Sequence, residues 1–116
     1  MKPLHILAAI LVLVGAGLAE TNPVPMIYQP LLPVTVKPGS SQFTLTVNGT
    51  GFVTTALVTW NGATRPTSYI SSSQVQAQIS AADVANPGTA SVNVVNPAPG
   101  GGASNTIFFP IQTPAP

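Results

Sequence analysis

The chain has 116 residues, with three Lys or Arg, two Asp or Glu, one His and no Cys, for a net charge of +1. Only 4% of its residues are charged, against roughly a quarter in an ordinary soluble domain. The length leaves room for one domain, the missing cysteines exclude disulfides and thiolate metal sites, and so few cations exclude a nucleic-acid surface, which needs clustered Lys and Arg.

In chain order, residues 1–19 read as a secretory signal peptide. Lys2 supplies a positive head, Leu4 to Val14 an almost continuous apolar run, and Gly17-Leu18-Ala19 a small-residue cleavage site. The run is several residues short of the roughly 20 that a spanning helix needs, and Glu20, Pro23 and Pro25 end it. An uncleaved anchor is the alternative. A lipoprotein anchor is excluded, because no cysteine follows the small residues. Cleavage after Ala19 leaves 97 residues (116 − 19), in which Lys37 and Arg65 balance Glu20 and Asp83. No membrane span is expected after cleavage. Export without disulfides points toward a bacterial source.

Residues 20–25 read as a short linker. Met26 to Val36 is punctuated by Pro30 and Pro33, so it is expected to be an edge strand broken in the middle. Lys37-Pro38-Gly39-Ser40 is a turn. Phe43, Leu45 and Val47 then alternate with Thr44 and Thr46, the pattern of a half-buried strand, and Asn48-Gly49 is read as its closing turn. Val58 and Trp60 share a face before a second turn at Asn61-Gly62. Pro66 marks the next stretch as an edge or irregular strand. Val75, Ala77 and Ile79 point inward and Gln74, Gln76 and Gln78 outward. Ser80 to Asp83 has capping-box spacing, with room for one helical turn before Asn86-Pro87-Gly88. Ala90, Val92 and Val94 form another inward row. A glycine loop follows, then a last strand with Ile107 and Phe109 inward and Phe108 off phase. Residues 112–116 read as a Pro-rich tail. The predicted class is all-β: an antiparallel β-sandwich of about seven strands.

Five motifs occur in order: Gly49-Thr50-Gly51-Phe52; Val58-Thr59-Trp60-Asn61-Gly62; Gly88-Thr89-Ala90-Ser91-Val92; Asn96-Pro97; and Pro99-Gly100-Gly101-Gly102-Ala103-Ser104-Asn105. In this order they resemble a bacterial IPT/TIG domain, over residues 26–111. The resemblance implies an immunoglobulin-like sandwich. It implies no single activity, since such domains serve as spacers, adhesive modules, dimerisation domains and accessory domains of polysaccharide-active enzymes.

The glycine loop is the first candidate for chemistry. A phosphate cradle needs glycines leading into a helix, with a Lys nearby. Here a strand follows, and neither Lys nor Arg lies between Arg65 and the C-terminus. The loop is therefore read as a hairpin tip whose glycines adopt positive φ. Such tips also display binding surface on immunoglobulin-like sandwiches, which makes Pro99, Gly100, Gly101, Gly102, Ser104 and Asn105 the candidate binding residues. Catalysis lacks its parts. His5 lies in the leader, no Ser–His–Asp set can be assembled, and no paired carboxylates are available. Zinc lacks ligands, calcium would find one internal carboxylate, and no cofactor is expected. Asp83 is read as a turn residue, and Lys37 and Arg65 as isolated surface charges. Asn48-Gly49-Thr50 matches a glycosylation sequon but is read as turn chemistry. Trp60 is assigned to the core by its alternation with Val58.

The function expected is that of a secreted, periplasmic or cell-surface module that is not an enzyme and acts by contact, in an adhesive or spacer role. Its partner would be a protein or polysaccharide at the cell surface, with weak self-association favoured by near-zero charge. A carbohydrate-binding accessory module is the alternative, and would need Trp60 exposed in one plane with Tyr28 or Tyr69.

Overall fold

The computed structural model describes residues 21–113. The expected leader, Glu20 and the last three residues of the Pro-rich tail lie outside the described residues. Among the described residues nine strands form: β1 (Met26–Ile27), β2 (Phe43–Thr50), β3 (Leu57–Trp60), β4 (Ala63–Thr64), β5 (Thr67–Ser71), β6 (Gln74–Ile79), β7 (Gly88–Asn96), β8 (Gly102–Ala103) and β9 (Ile107–Ile111). A single 3-10 turn, Ala81–Val84, lies between β6 and β7. One sheet has the order β1-β2-β6-β5; the other runs β4-β3-β7, with β8 and β9 both paired to β7. All pairings between named strands are antiparallel. Three of the nine strands have two residues each, which leaves six longer ones against the about seven expected. The order is that of a constant-type immunoglobulin sandwich.

The alternating rows become the two inner faces. Leu45 and Val47 on β2, Val75, Ala77 and Ile79 on β6, and Ala90, Val92 and Val94 on β7 are all buried. Trp60 on β3 is buried between them, its ring centroid 5.4 Å from that of Phe109 on β9, which in turn stacks 5.8 Å from Phe43. Burying side chains of this size is worth about 1.5–3 kcal/mol each, and here it comes from strand alternation alone. Asn61 (φ 53°) and Gly62 (φ 86°) form the tight turn of the β3–β4 hairpin, where only Asn and Gly take positive φ readily. Ser80 caps the 3-10 turn, with its hydroxyl accepting from the Asp83 amide while Asp83 accepts from the Ser80 amide.

The segment from Met26 to Val36 is broken, as its prolines require, and the break lets it change sheets. Tyr28 and Leu32 bond to β2, at Asn48 and Thr46. Val36, four residues on, bridges Ile111 of β9 in parallel, and the Gln112 amide donates to its carbonyl.

Two expectations need correction. Asn48-Gly49 is not a turn: β2 continues through it to Thr50, paired with Met26 and Ile27 of β1. Gly49 is there for close approach, because a Cβ would collide with the Met26 carbonyl. The chain reverses after Gly51 (φ 78°) instead. Arg65, read as an isolated surface charge, grips Asp83 through two parallel bonds, Nε to Oδ2 at 2.8 Å and Nη2 to Oδ1 at 2.7 Å. The partners are 18 residues apart, and no local pattern links them.

Candidate functional site

The glycine loop joins β7 to β8 as a hairpin, and three of its backbone groups are engaged by Asn22 of the chain's own N-terminal segment. The Asn22 amide donates to the Pro99 carbonyl (2.7 Å), and the Gly101 amide donates to the Asn22 carbonyl (2.7 Å). Asn22 thereby bridges Gly100 as a short parallel strand, and its side-chain Nδ2 donates to the Pro97 carbonyl. Gly100 permits this contact: a Cβ there would lie 2.6 Å from the Asn22 carbonyl oxygen and 2.7 Å from Thr21 Cβ. At Gly101 it would strike the Asn96 carbonyl. Gly102, by contrast, would set a Cβ in ordinary contact with Val24 at 3.9 Å, and it starts β8 opposite Asn96. Residues 22 and 23, read as linker, thus contribute to the body of the sandwich.

The other two candidate residues act as substitutes for backbone. Ser104 is buried; its amide donates to the Val94 carbonyl and its hydroxyl accepts from the Val94 amide. Asn105 presents its side-chain amide to Ile27 as a strand would, with Oδ1 accepting from the Ile27 amide (2.8 Å) and Nδ2 donating to the Ile27 carbonyl (3.0 Å). The backbone groups of Ile27 face away from β2, so Asn105 closes that edge.

Two further residues, outside the candidate set, hold this cluster together. Asn96 is 1% exposed. Its Nδ2 donates to the carbonyls of Pro23 and Gly51, and its Oδ1 accepts from the Val53 amide. A buried amide must be satisfied in this way. The signal was present in the sequence, since Asn96 is the next inward position after Ala90, Val92 and Val94. Asn93 donates from Nδ2 to the carbonyls of Ser104 and Asn105 and to the Thr106 hydroxyl. Its partners follow the loop and are not visible from local pattern.

The aromatic side chains do not form a plane. Trp60 is in the core. Tyr28 pairs with Asn48 on the outward side of the first sheet, whereas Tyr69 pairs with inward-facing Val75 at the opposite edge. Phe108 is 64% exposed and lines a groove of about 190 Å³ with Gln29, Pro30, Leu31, Val34 and Ile107. Val34 is itself 57% exposed. Val24, Met26, Tyr28 and Leu32 add further exposed apolar side chains along the same N-terminal segment. The Arg65 guanidinium holds the Asp83 carboxyl below its ordinary value, aided by the Ser80 bonds and opposed by partial burial.

An IPT/TIG domain model matches residues 29–111. The chain belongs to the IPT/TIG family. No curated protein matches it. The matched residues start within the broken N-terminal segment and end with β9, so the TIG domain comprises both sheets; β1 and the Asn22 clasp precede the match. A TIG domain is an immunoglobulin-like module that mediates protein contacts and is in general not catalytic.

Proposed function

We propose that this TIG domain is exported and works at or beyond the cell surface by contact, as an adhesive or spacing module without catalysis. The observation that carries the reading is where its apolar surface lies. Phe108 and Val34 line one groove, and Met26, Tyr28 and Leu32 stand exposed on the adjoining segment. Exposed apolar side chains gathered on one region of a small domain mark an interaction site. In the glycine loop, meanwhile, the Pro97 and Pro99 carbonyls, the Gly101 amide and the Asn105 side chain are spent on holding Asn22 and Ile27.

The carbohydrate-binding alternative has less support, because its platform would need Trp60 with a tyrosine in one plane. Retention on insoluble polysaccharides is expected to be nil.

The test uses cells that produce the protein. Fractionation should place it outside the cytoplasm with Glu20 as its first residue. A photoreactive phenylalanine analogue at position 108 should give one defined adduct on intact cells, identified by mass spectrometry. A cytoplasmic protein that keeps residues 1–19, or turnover of a substrate by the purified protein, overturns the proposal.

A further inference from the structure

Each sheet of an open sandwich has two edges, and an edge strand offers unpaired backbone groups to any extended chain. In this protein three of the four edges are wholly or largely closed by named groups. At β1, the Asn105 side chain takes both backbone groups of Ile27. Along β3 and β4, Val58 accepts from the Arg65 amide and donates to the Thr67 hydroxyl, and the Arg65 guanidinium reaches the Thr64 carbonyl. Along β9, the Thr35 hydroxyl donates to the Pro110 carbonyl and Val36 takes the Gln112 amide. Pro110 has no N–H to satisfy. This leaves Phe108 as one open residue, hemmed in by the groove beside Leu31 and Val34.

The fourth edge, β5, is open. The Gln78 amide donates to the Pro66 carbonyl, which fixes the direction of every peptide group along the strand. Ser68 faces β6, opposite Gln76, so Thr67 and Tyr69 face away from it. Among the described residues, none of the four outward N–H and C=O groups of Thr67 and Tyr69 has a partner. The edge carries none of the usual protection apart from Pro66 at its start and a bulge at Ile70. No charged residue occurs from Pro66 to Ala82, and Tyr69 and Ile70 are 38% and 51% exposed.

We propose that β5 is a pairing edge for a second copy of this chain. The edge is self-complementary. A two-fold axis through Ser68 sets Thr67 of each copy opposite Tyr69 of the other, which supplies four main-chain hydrogen bonds. The same register brings Ile70 against Pro66 of the second copy. It joins two four-stranded sheets into one of eight. Edges with no charge meet without repulsion, so no electrostatic cost opposes pairing with a like partner. This pairing edge lies on the opposite sheet from the Phe108 surface and goes beyond the role proposed above.

The exported protein is studied by sedimentation equilibrium from micromolar to millimolar concentration. A monomer–dimer equilibrium is expected, and the amides of Thr67 and Tyr69 should gain protection from hydrogen exchange as dimer forms. Ile70→Lys places a cation beside Arg65 of the facing copy and should weaken the dimer by about tenfold or more. Tyr69→Pro removes an N–H that the monomer does not use and deletes two of the four bonds, with the β5–β6 ladder intact. Thermal melts and Trp60 fluorescence check that both variants are folded, and Ile70→Lys with the exchange data decides the matter if Tyr69→Pro is not. Phe108→Lys, on the other sheet, should leave the dimer unchanged. A protein monomeric at millimolar concentration overturns the inference. So does a dimer that Phe108→Lys dissolves and Ile70→Lys does not, or one whose Thr67 and Tyr69 amides exchange as in the monomer. Neither result touches export or the adduct at position 108, which test the contact role separately.

Discussion

Arg65 and Asp83 show how much a single pair can do in a domain almost without charge. The guanidinium bonds both carboxylate oxygens while also donating to the carbonyls of Ala63 and Thr64. One side chain therefore ties the β4–β5 connection to the 3-10 turn. The planar fork fits a carboxylate better than an ammonium would. Asp83 has its carboxyl lowered from the ordinary 3.8 by this pairing. A carboxyl lowered by folding adds stability that is fully present above its unfolded value. That stability is lost as pH falls through the lower, folded value. Urea melts at a series of pH values should show the native protein losing this contribution only below about pH 3.8. Arg65→Ala should be less stable at neutral pH by about 1–2 kcal/mol, at the upper end for a pair that keeps some solvent contact. The gap between the two proteins should close in acid. A gap that is constant with pH would assign the loss to the guanidinium's carbonyl bonds and not to the ion pair.

The elements were legible wherever apolar and polar residues alternate. The rows 45/47, 75/77/79, 90/92/94 and 107/109 specify strands because side chains alternate across a pleated sheet, and all are buried as expected. Asn61-Gly62 was legible because a two-residue hairpin demands positive φ. Asn48-Gly49 shows where that logic ends. The same dipeptide sits inside a strand, where the glycine is needed for the approach of Met26, and sequence alone does not separate the two uses. The glycine loop was legible as a hairpin tip. Its engagement by Asn22, and the pairing of Asn105 with Ile27, were not, because the partners lie more than 70 residues apart. Two alanine substitutions separate the costs of backbone conformation and of lost space. Gly39→Ala meets no atom and should cost about 1 kcal/mol for its positive φ. Gly100→Ala carries the same conformational cost and also drives a methyl group into Asn22. It should cost at least twice as much and release the N-terminal clasp. Amide exchange at Gly101 reports the release directly, and unchanged protection there would count against the clasp.

At the scale of the whole molecule, the two ends of the described chain leave from opposite ends of the sandwich. Asn22 lies at the loop that follows the last residue of β7, and Gln112 follows the residue that pairs with the first. Nine residues of β7 separate them, about 30 Å at strand spacing. Between these points the N-terminal segment runs down one sheet and then, from Val36, parallel to β9. A tether pulling on both ends would slide Val36 and β9 past each other along their length, so that the Thr35–Pro110 and Val36–Gln112 bonds break together and not one after another. Resistance to tension is then a property of a few bonds that add little to equilibrium stability. Single-molecule stretching should show one cooperative rupture, and Thr35→Ala should lower its force while leaving the melting temperature nearly unchanged. A domain wired in this way can stand in a line of others and bear mechanical load along it.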